Sequence, residues 1–205
     1  MKLFHSAASP YARKVMVAAH ETGLAGSLEP IASKASPIDR NMAIAEHNPA
    51  GRVPTLIDDD GHAVFDSRVI CEHLDRLSAG DPLLPREAGA RVTTLTLNAL
   101  ADGLLEAAIL IRYETVMRPP ELRWQAWIDG QRGKIDASLD ALEHDWIAHL
   151  EGRRDLGAIA VGCALGYLDF RFAGVIDWRA SRPRLAAWYE GFSARPSMAA
   201  TAPKG

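Results

Sequence analysis

Val53-Pro54-Thr55-Leu56-Ile57-Asp58-Asp59-Asp60-Gly61-His62-Ala63-Val64-Phe65-Asp66-Ser67 is the stretch whose reading decides the fold. Val53 to Ile57 predicts one strand and His62 to Phe65 another. The Asp60-Gly61 pair between them is a strong hairpin signal, so these strands pair antiparallel. Ser67 opens a helix with Ile70, Leu74 and Leu77 on one face. Upstream, Lys2 to His5 predicts a strand, Pro10 to Thr22 a helix, Leu28 to Ala32 a strand and Ile38 to His47 a short helix. Ser9 suits the N-cap of the first helix, Pro10 its first position and Gly23 the residue past its end.

The resulting order over residues 1–78 is β-α-β-α-β-β-α. A helical crossover makes the first two strands parallel, which is a thioredoxin-like arrangement. Residues 79–86, around Gly80-Asp81-Pro82, form a linker, and residues 87–205 form an all-helical domain, so the class is α+β. Ala88 to Val116 predicts a long helix. Trp124, Trp127, Ile128, Gln131, Ile135, Leu139, Leu142, Trp146 and Leu150 recur at steps of three and four, which puts them on one helical face. Leu156 to Phe172 is apolar nearly all round and belongs at the centre of a bundle. Leu185, Trp188, Tyr189 and Phe192 mark a last amphipathic helix, and the small, polar tail after Pro196 is expected to pack loosely.

Composition limits the function classes. With 205 residues, 48% hydrophobic and 24% charged, the chain can bury a real core. A net charge of −3 with dispersed basic residues argues against nucleic acid, which needs a concentrated basic face. Two cysteines, Cys71 and Cys163, make neither a disulfide framework nor a metal cluster. No secretory pattern opens the sequence, and Asp169 and Arg171 interrupt the apolar segment from Leu156 to Val175, so the expectation is a cytoplasmic protein with no membrane contact.

Three short segments can carry chemistry. At Ser9-Pro10-Tyr11, a hydroxyl lies beside unpaired N–H groups and the positive end of a helix dipole, where an anionic sulfur would be stabilised. Ser9 also reads as a plain N-cap worth ~1 kcal/mol, and the roles can coexist because a hydroxyl both accepts and donates. At Val53-Pro54, a cis bond would leave the Val53 backbone free to pair with a peptide, although proline at a strand start is also ordinary. At Asp66-Ser67, a carboxylate that can pair with an amine meets a helix N-terminus that can hold a carboxylate, and here too a simple cap is the alternative.

Taken together, Asn48-Pro49-Ala50-Gly51-Arg52-Val53-Pro54-Thr55-Leu56, a hairpin, then Asp66-Ser67 and an amphipathic helix resemble the glutathione site of the glutathione S-transferase family, in its bacterial serine-type form. Gly162 to Arg171, Arg182 to Glu190 and Arg195-Pro196-Ser197 resemble that family's central and terminal C-domain helices. With Leu100-Ala101-Asp102-Gly103-Leu104 they resemble in particular the bacterial YibF-type subgroup. The resemblance implies glutathione as co-substrate, no metal, a small electrophilic substrate, a detoxifying role and a homodimer. It implies that Ser9 donates a hydrogen bond to the glutathione sulfur. Val53, held by a cis Pro54, would pair with the cysteinyl backbone, and Asp66 and Ser67 would hold the γ-glutamyl end. Lys34 and Arg52 are candidates for the glycyl carboxylate by charge and loop position. Asp102, Glu106, Ile109 and Tyr113, spaced by three to four residues, are candidates for the electrophile pocket. Ser6 is a rival hydroxyl near the same turn. The family's central helix opens with a reciprocal capping box, whereas here Asp155-Leu156-Gly157-Ala158 keeps only the capping acid.

The function expected is activation of glutathione thiolate for attack on a small electrophile, with a peroxidase using the same thiolate as a close relative. The alternative is a non-catalytic glutathione-binding or regulatory protein of the same fold, because fold alone does not fix function. A glutathione-linked disulfide reductase fits less well, since Ser9 rather than a cysteine stands at the active turn.

Overall fold

Pro10 can begin a helix because its fixed φ suits the first position and its missing N–H is not needed there. Ser9 completes the start: its side chain accepts from Ala12 N at 3.2 Å. A computed structural model describes residues 1–204 in this way, as β1 (Lys2–His5), α1 (Pro10–Glu21), β2 (Glu29–Ala32), α2 (Met42–Ala45), β3 (Thr55–Ile57), β4 (Ala63–Val64) and α3 (Ser67–Leu77). The helical part follows as α4 (Ala88–Arg112), α5 (Gln125–His144), α6 (Ile147–Gly152), α7 (Leu156–Phe172), α8 (Pro183–Ser193) and α9 (Pro196–Ala200).

The sheet order is β2-β1-β3-β4. β1 pairs parallel with β2 and antiparallel with β3, and β3 pairs antiparallel with β4, as the hairpin and crossover require. Leu3 and Leu56 face each other in the β1–β3 ladder and are fully buried. α1 packs against α3, burying Val15, Ala18, Ile70 and Leu74. Each such aliphatic side chain contributes about 1.5–3 kcal/mol when fully buried.

The chain divides into two units, residues 1–91 with the segment from Arg195 onward, and Val92–Ala194. The terminal segment, placed with the helical domain and expected to be loose, instead packs in the first unit against α1. Met198 is fully buried, the Arg13 Nη2 group donates to its carbonyl at 3.1 Å, and Glu21 accepts from Arg195 and Ser197. The tail binds through the buried Met198 side chain and through the pairing of Glu21 with Arg195.

Several boundaries differ from expectation. The helix predicted from Ile38 shrinks to Met42–Ala45, because Asn41 Oδ1 caps Ala43 N and Ser36 Oγ ties the N–H groups of Ile38 and Asp39 into a turn. Leu77, assigned to the buried face of α3, is 53% exposed. The long helix stays α-helical only to Arg112 and passes into a wider π turn over Tyr113–Met117. There Glu114 is buried and accepts from Arg118 Nε and Trp124 N, and Pro119 and Pro120 bar further helix. The tryptophan stripe also divides. Gln131, Ile135, Leu139, Leu142 and Leu150 are buried across α5 and α6, which separate at Asp145-Trp146, but Trp146 is half-buried, and Trp124 is 65% exposed and stacks on Trp127.

In the second unit, α7 is buried on nearly every side, as its composition predicts. Asp155 caps it by accepting from Ala158 N at 3.0 Å. The missing reciprocal acid is replaced by tertiary partners: Thr94 Oγ1 at 2.6 Å and His149 Nε2 at 2.8 Å both meet Asp155 Oδ2. Gly157 follows for a steric reason, since a Cβ there would lie 3.0 Å from the Thr94 carbonyl oxygen and 3.0 Å from a Leu97 methyl. By composition and length, Ala88–Met117 is apolar enough to cross a membrane, but half of its most apolar window is buried within the protein, as expected of a core helix.

Gly157→Ala is expected to lower stability. Alanine gains ~1 kcal/mol in helix propensity, but overpacking against α4 costs about 1–3 kcal/mol. Thermal unfolding of the variant checks this; an unchanged or raised midpoint would refute the close-approach argument.

Candidate functional site

Strand directions decide what comes together. β3 runs antiparallel to both β1 and β4, with Phe4 opposite Thr55 and Leu56 opposite Val64. The end of β1, the start of β3 and the end of β4 therefore share one sheet edge. Ser9 at the start of α1, Val53-Pro54 just before β3 and Asp66-Ser67 at the start of α3 all lie at this edge. Both helices run back from it, so two sets of unpaired N–H groups and two positive dipole ends face the same place.

Ser9 is partly buried, and its oxygen accepts from Ala12 N while its O–H proton remains a donor. Ser6, the rival hydroxyl, accepts from Ala8 N at 3.4 Å. The Val53–Pro54 bond is cis, and so is Phe65–Asp66. β3 begins at Thr55, so Val53 precedes the ladder.

The turn before Pro54 is organised by Asn48, which is almost completely buried. Its Nδ2 donates to Thr55 Oγ1 at 2.9 Å and to the Arg52 carbonyl at 3.4 Å, while its Oδ1 accepts from Ala50 N at 3.0 Å. Thr55 Oγ1 in turn donates to the Arg52 carbonyl at 2.8 Å. Gly51 takes φ +63°, a left-handed conformation that a side chain at this turn would resist. Asn48 belongs to the motif that signals the site, yet its role as the scaffold of the Val53 segment is visible only in three dimensions.

Asp66 is the N-cap of α3, accepting from Arg68 N at 2.9 Å, and Ser67 is buried behind it. Both carboxylate oxygens also engage the Arg68 guanidinium, with Nη2 at 2.9 Å from Oδ2. Partial burial pushes the Asp66 carboxyl upward, but the side-chain and backbone hydrogen bonds of Arg68 and the charges of Arg68 and Lys14 outweigh it and hold it below the usual carboxylate value. Lys14 is fully buried on α1, with its ammonium 5.8 Å from the Tyr11 ring centroid. Sequence reading missed Arg68 and Lys14, because each looks like an ordinary helix-surface cation until α1 and α3 are packed together.

Lys34 and Arg52 are exposed at the same edge, Lys34 in the loop after β2 and Arg52 beside Val53. The Lys34 carbonyl accepts from Asn41 Nδ2, and Ser33 N donates to the His5 carbonyl. Asp102, Glu106, Ile109 and Tyr113 belong to the second unit, where they form a partly exposed row along α4 and the turn after it. Asp102 accepts from Asn98 Nδ2 at 3.0 Å. Ligand atoms of Asp58, Asp60 and His62 gather within 4.8 Å in the β3–β4 hairpin, but Asp58 Oδ1 already accepts from the N–H groups of Asp60 and His62.

Two helix starts, a strand start and a cis proline meet at one end of a mixed four-stranded sheet in a thioredoxin-like domain, and comparison with known proteins gives the family. The family model for the glutathione S-transferase N-terminal domain matches residues 8–77, and that for the C-terminal domain matches residues 125–191. A curated Escherichia coli K12 protein, the uncharacterised GST-like YibF, is 33% identical and aligns over 99% of this chain and 98% of its own. A glutathione transferase family member from Pseudomonas fluorescens Pf-5, solved with bound glutathione, is 50% identical with a TM-score of 0.97, covering 100% of this chain and 99% of that one. A structure from the same organism with bound S-(propanoic acid)-glutathione is 49% identical with a TM-score of 0.92 and full coverage of both chains. The chain belongs to the glutathione S-transferase family.

Two outcomes follow from this geometry. The Asp66 carboxyl, depressed in the folded chain, strengthens the α3 cap fully above its unfolded pKa, and this contribution is lost as pH falls through the lower folded value. Arg68→Ala should move that titration upward, read by NMR of the carboxyl group; an unmoved titration would remove Arg68 as its cause. Asn48→Ala should destabilise the protein by about 1–3 kcal/mol in chemical denaturation, because Thr55 and Ala50 lose a buried partner; a loss well below that range would show that Asn48 is dispensable to the turn.

Proposed function

We propose that this protein is a glutathione-dependent transferase in which Ser9 activates the glutathione thiol. A free thiol with pKa of about 8.5 is only ~3% ionised at pH 7. Lowering that value by ~2 units takes ~2.7 kcal/mol of preferential stabilisation of the thiolate. A hydrogen bond from Ser9 Oγ together with the start of α1 is of this size.

In this reading, the cysteinyl backbone of glutathione pairs with Val53, in the conformation that cis Pro54 accompanies. Asp66 pairs with the γ-glutamyl amine, and Ser67 with the adjoining N–H groups of α3 takes its carboxylate. Lys34 and Arg52 are the cations available to the glycyl carboxylate. The thiolate attacks the electrophile, a carbon–sulfur bond forms, and the leaving group departs with its electron pair or, in an addition, the adjoining carbon takes a proton. Asp102, Glu106, Ile109 and Tyr113 are proposed to contact the electrophile. We place the protein in the cytoplasm as a homodimer, acting without a metal.

The observation that carries the proposal is the convergence of Ser9, Val53-Pro54 and Asp66-Ser67 on one sheet edge. It is supported by glutathione and an S-substituted glutathione bound to similar structures from Pseudomonas fluorescens.

Calorimetry with glutathione and a broad electrophile screen test it. Wild type should bind glutathione, and Ser9→Ala should keep binding while kcat/KM falls about 10- to 100-fold, the loss of one charge-assisted hydrogen bond in the transition state. Absence of glutathione binding by wild type would end the proposal. Binding with equal turnover in Ser9→Ala would remove Ser9 from the mechanism, and binding without turnover on any electrophile would favour the non-catalytic reading.

A further inference from the structure

The segment from Arg195 to Lys204 runs along α1 from the end of that helix back to its start, all within the first unit. At the C-terminal end of α1, Glu21 accepts from the Arg195 guanidinium and from Ser197 Oγ. Along the helix, α9 packs on α1 with Met198 fully buried, and the Met198 carbonyl accepts from Arg13 Nη2 at 3.1 Å. Ahead of the helix, the Ala7 carbonyl accepts from Lys204 N at 3.4 Å. Ala7 lies inside the turn from Ser6 to Ser9, which closes on itself through Ser9 N to the Ser6 carbonyl at 3.0 Å and Ala8 N to Ser6 Oγ at 3.4 Å. The tail thus reaches the turn that presents Ser9.

Its local chemistry makes this reach stiff. Thr201 Oγ1 donates to the carbonyls of Ser197 at 2.8 Å and Met198 at 3.4 Å, and Ala202 N donates to the Ala199 carbonyl, so the chain stays coiled to the end of α9. Pro203 then fixes one backbone angle immediately before Lys204. The grip at the middle also resists release. Arg13 is more than nine-tenths buried, and its Nε and Nη1 have no hydrogen-bond partner among the described residues. Withdrawal of the tail would take from this buried guanidinium the Met198 carbonyl that it holds through Nη2, and buried donors left unpaired are costly. A role limited to stabilising α1 needs Glu21 and Met198. It does not account for the contact with Ala7, which lies outside the helix.

We propose that the segment from Arg195 to Lys204 is a strap that positions the Ser9 turn, and that it thereby sets how strongly Ser9 holds the glutathione sulfur. The second clause rests on the transferase reading above. The strap is anchored on α1 by Glu21 and Arg13, and it holds the Ala7 carbonyl from outside the turn. Ser9 Oγ is tied on its helix side by Ala12 N. The turn before it therefore decides the remaining freedom of that oxygen. A hydrogen bond weakens steeply as its angle closes, so a turn free to shift would weaken the bond to sulfur without removing any other contact with the ligand. Lys204 is a positioning residue that acts through its backbone N–H, while its side chain is exposed.

Two full-length variants test this. Lys204→Pro removes the donating N–H and leaves Glu21, Arg13 and Met198 engaged; Lys204→Ala keeps the N–H. In ligand-free protein, the NMR amide resonances of Ala7, Ala8 and Ser9 should move in Lys204→Pro and keep their wild-type positions in Lys204→Ala. With glutathione bound, a pH titration followed by the ultraviolet absorbance of the thiolate should show its pKa raised by about 0.5–1 unit in Lys204→Pro, the loss of about one hydrogen bond's worth of thiolate stabilisation. S-methylglutathione, which has no thiol to ionise, should bind both variants within about twofold of wild type, because the peptide contacts are kept. Unmoved amide resonances in Lys204→Pro would overturn the strap. An unmoved thiol titration would overturn its link to Ser9. Weaker binding of S-methylglutathione with a lowered thermal midpoint and an unmoved titration would mark a merely structural role and also overturn it. Moved resonances in a protein whose wild type binds no glutathione would support the strap and sink the transferase reading; turnover with unmoved resonances would do the reverse.

Discussion

The antiparallel placement of β3 between β1 and β4 is the constraint on which the rest of the first unit depends. It sends the chain out of β1, into β3 and out of β4 at one edge of the sheet. Three loops far apart in sequence then share a small volume, and α1 and α3 start there together. Their N–H groups are needed by no intrahelical acceptor, so the edge is electropositive before any side chain is counted. A one-residue slip of β3 would exchange the faces of Leu56 and Thr55, both fully buried, and break the Asn48–Thr55 hydrogen bond. The apolar pattern of the strand and the geometry of the site are therefore enforced by the same register.

Two buried polar hubs hold what the sheet alone does not. Asn48 satisfies the turn before cis Pro54, and Asp155 joins the start of α7 to Thr94 and His149. Each uses a short side chain to bind backbone and side-chain groups that would otherwise be buried unpaired, at a cost of about 1–3 kcal/mol per group. Asp155 also shows how a local motif can be lost without loss of its function. The reciprocal acid of a capping box is missing, and tertiary hydrogen bonds to the cap replace it.

Much of the candidate site was legible in the sequence because its signals are local. Ser9-Pro10 announces a helix start from the chemistry of two adjacent residues, and Asp58 to Gly61 announces a hairpin. The Asn48 to Leu56 stretch and Asp66-Ser67 carried the family resemblance. Arg68 and Lys14 were not legible, because a cation on a helix has the same local appearance whether it meets water, a carboxylate or an aromatic ring. The exposed Trp124 and Trp127 were misplaced for a similar reason: helical periodicity identifies a face but not how far along the helix that face stays covered.

The sequence by itself determined the order of strands and helices, the antiparallel hairpin, the capped start of α1, the wholly apolar α7 and the family. Each of these follows from residues within a few positions of one another, where backbone preference and hydrophobic period act directly. Only the tertiary structure decided that the tail from Arg195 packs on α1, that α4 gives way to a π turn at Tyr113, and that Gly157 admits a close helix contact. Those outcomes depend on which surfaces meet, and the energy of a charge or a methyl group is set by the neighbours that long-range packing brings to it.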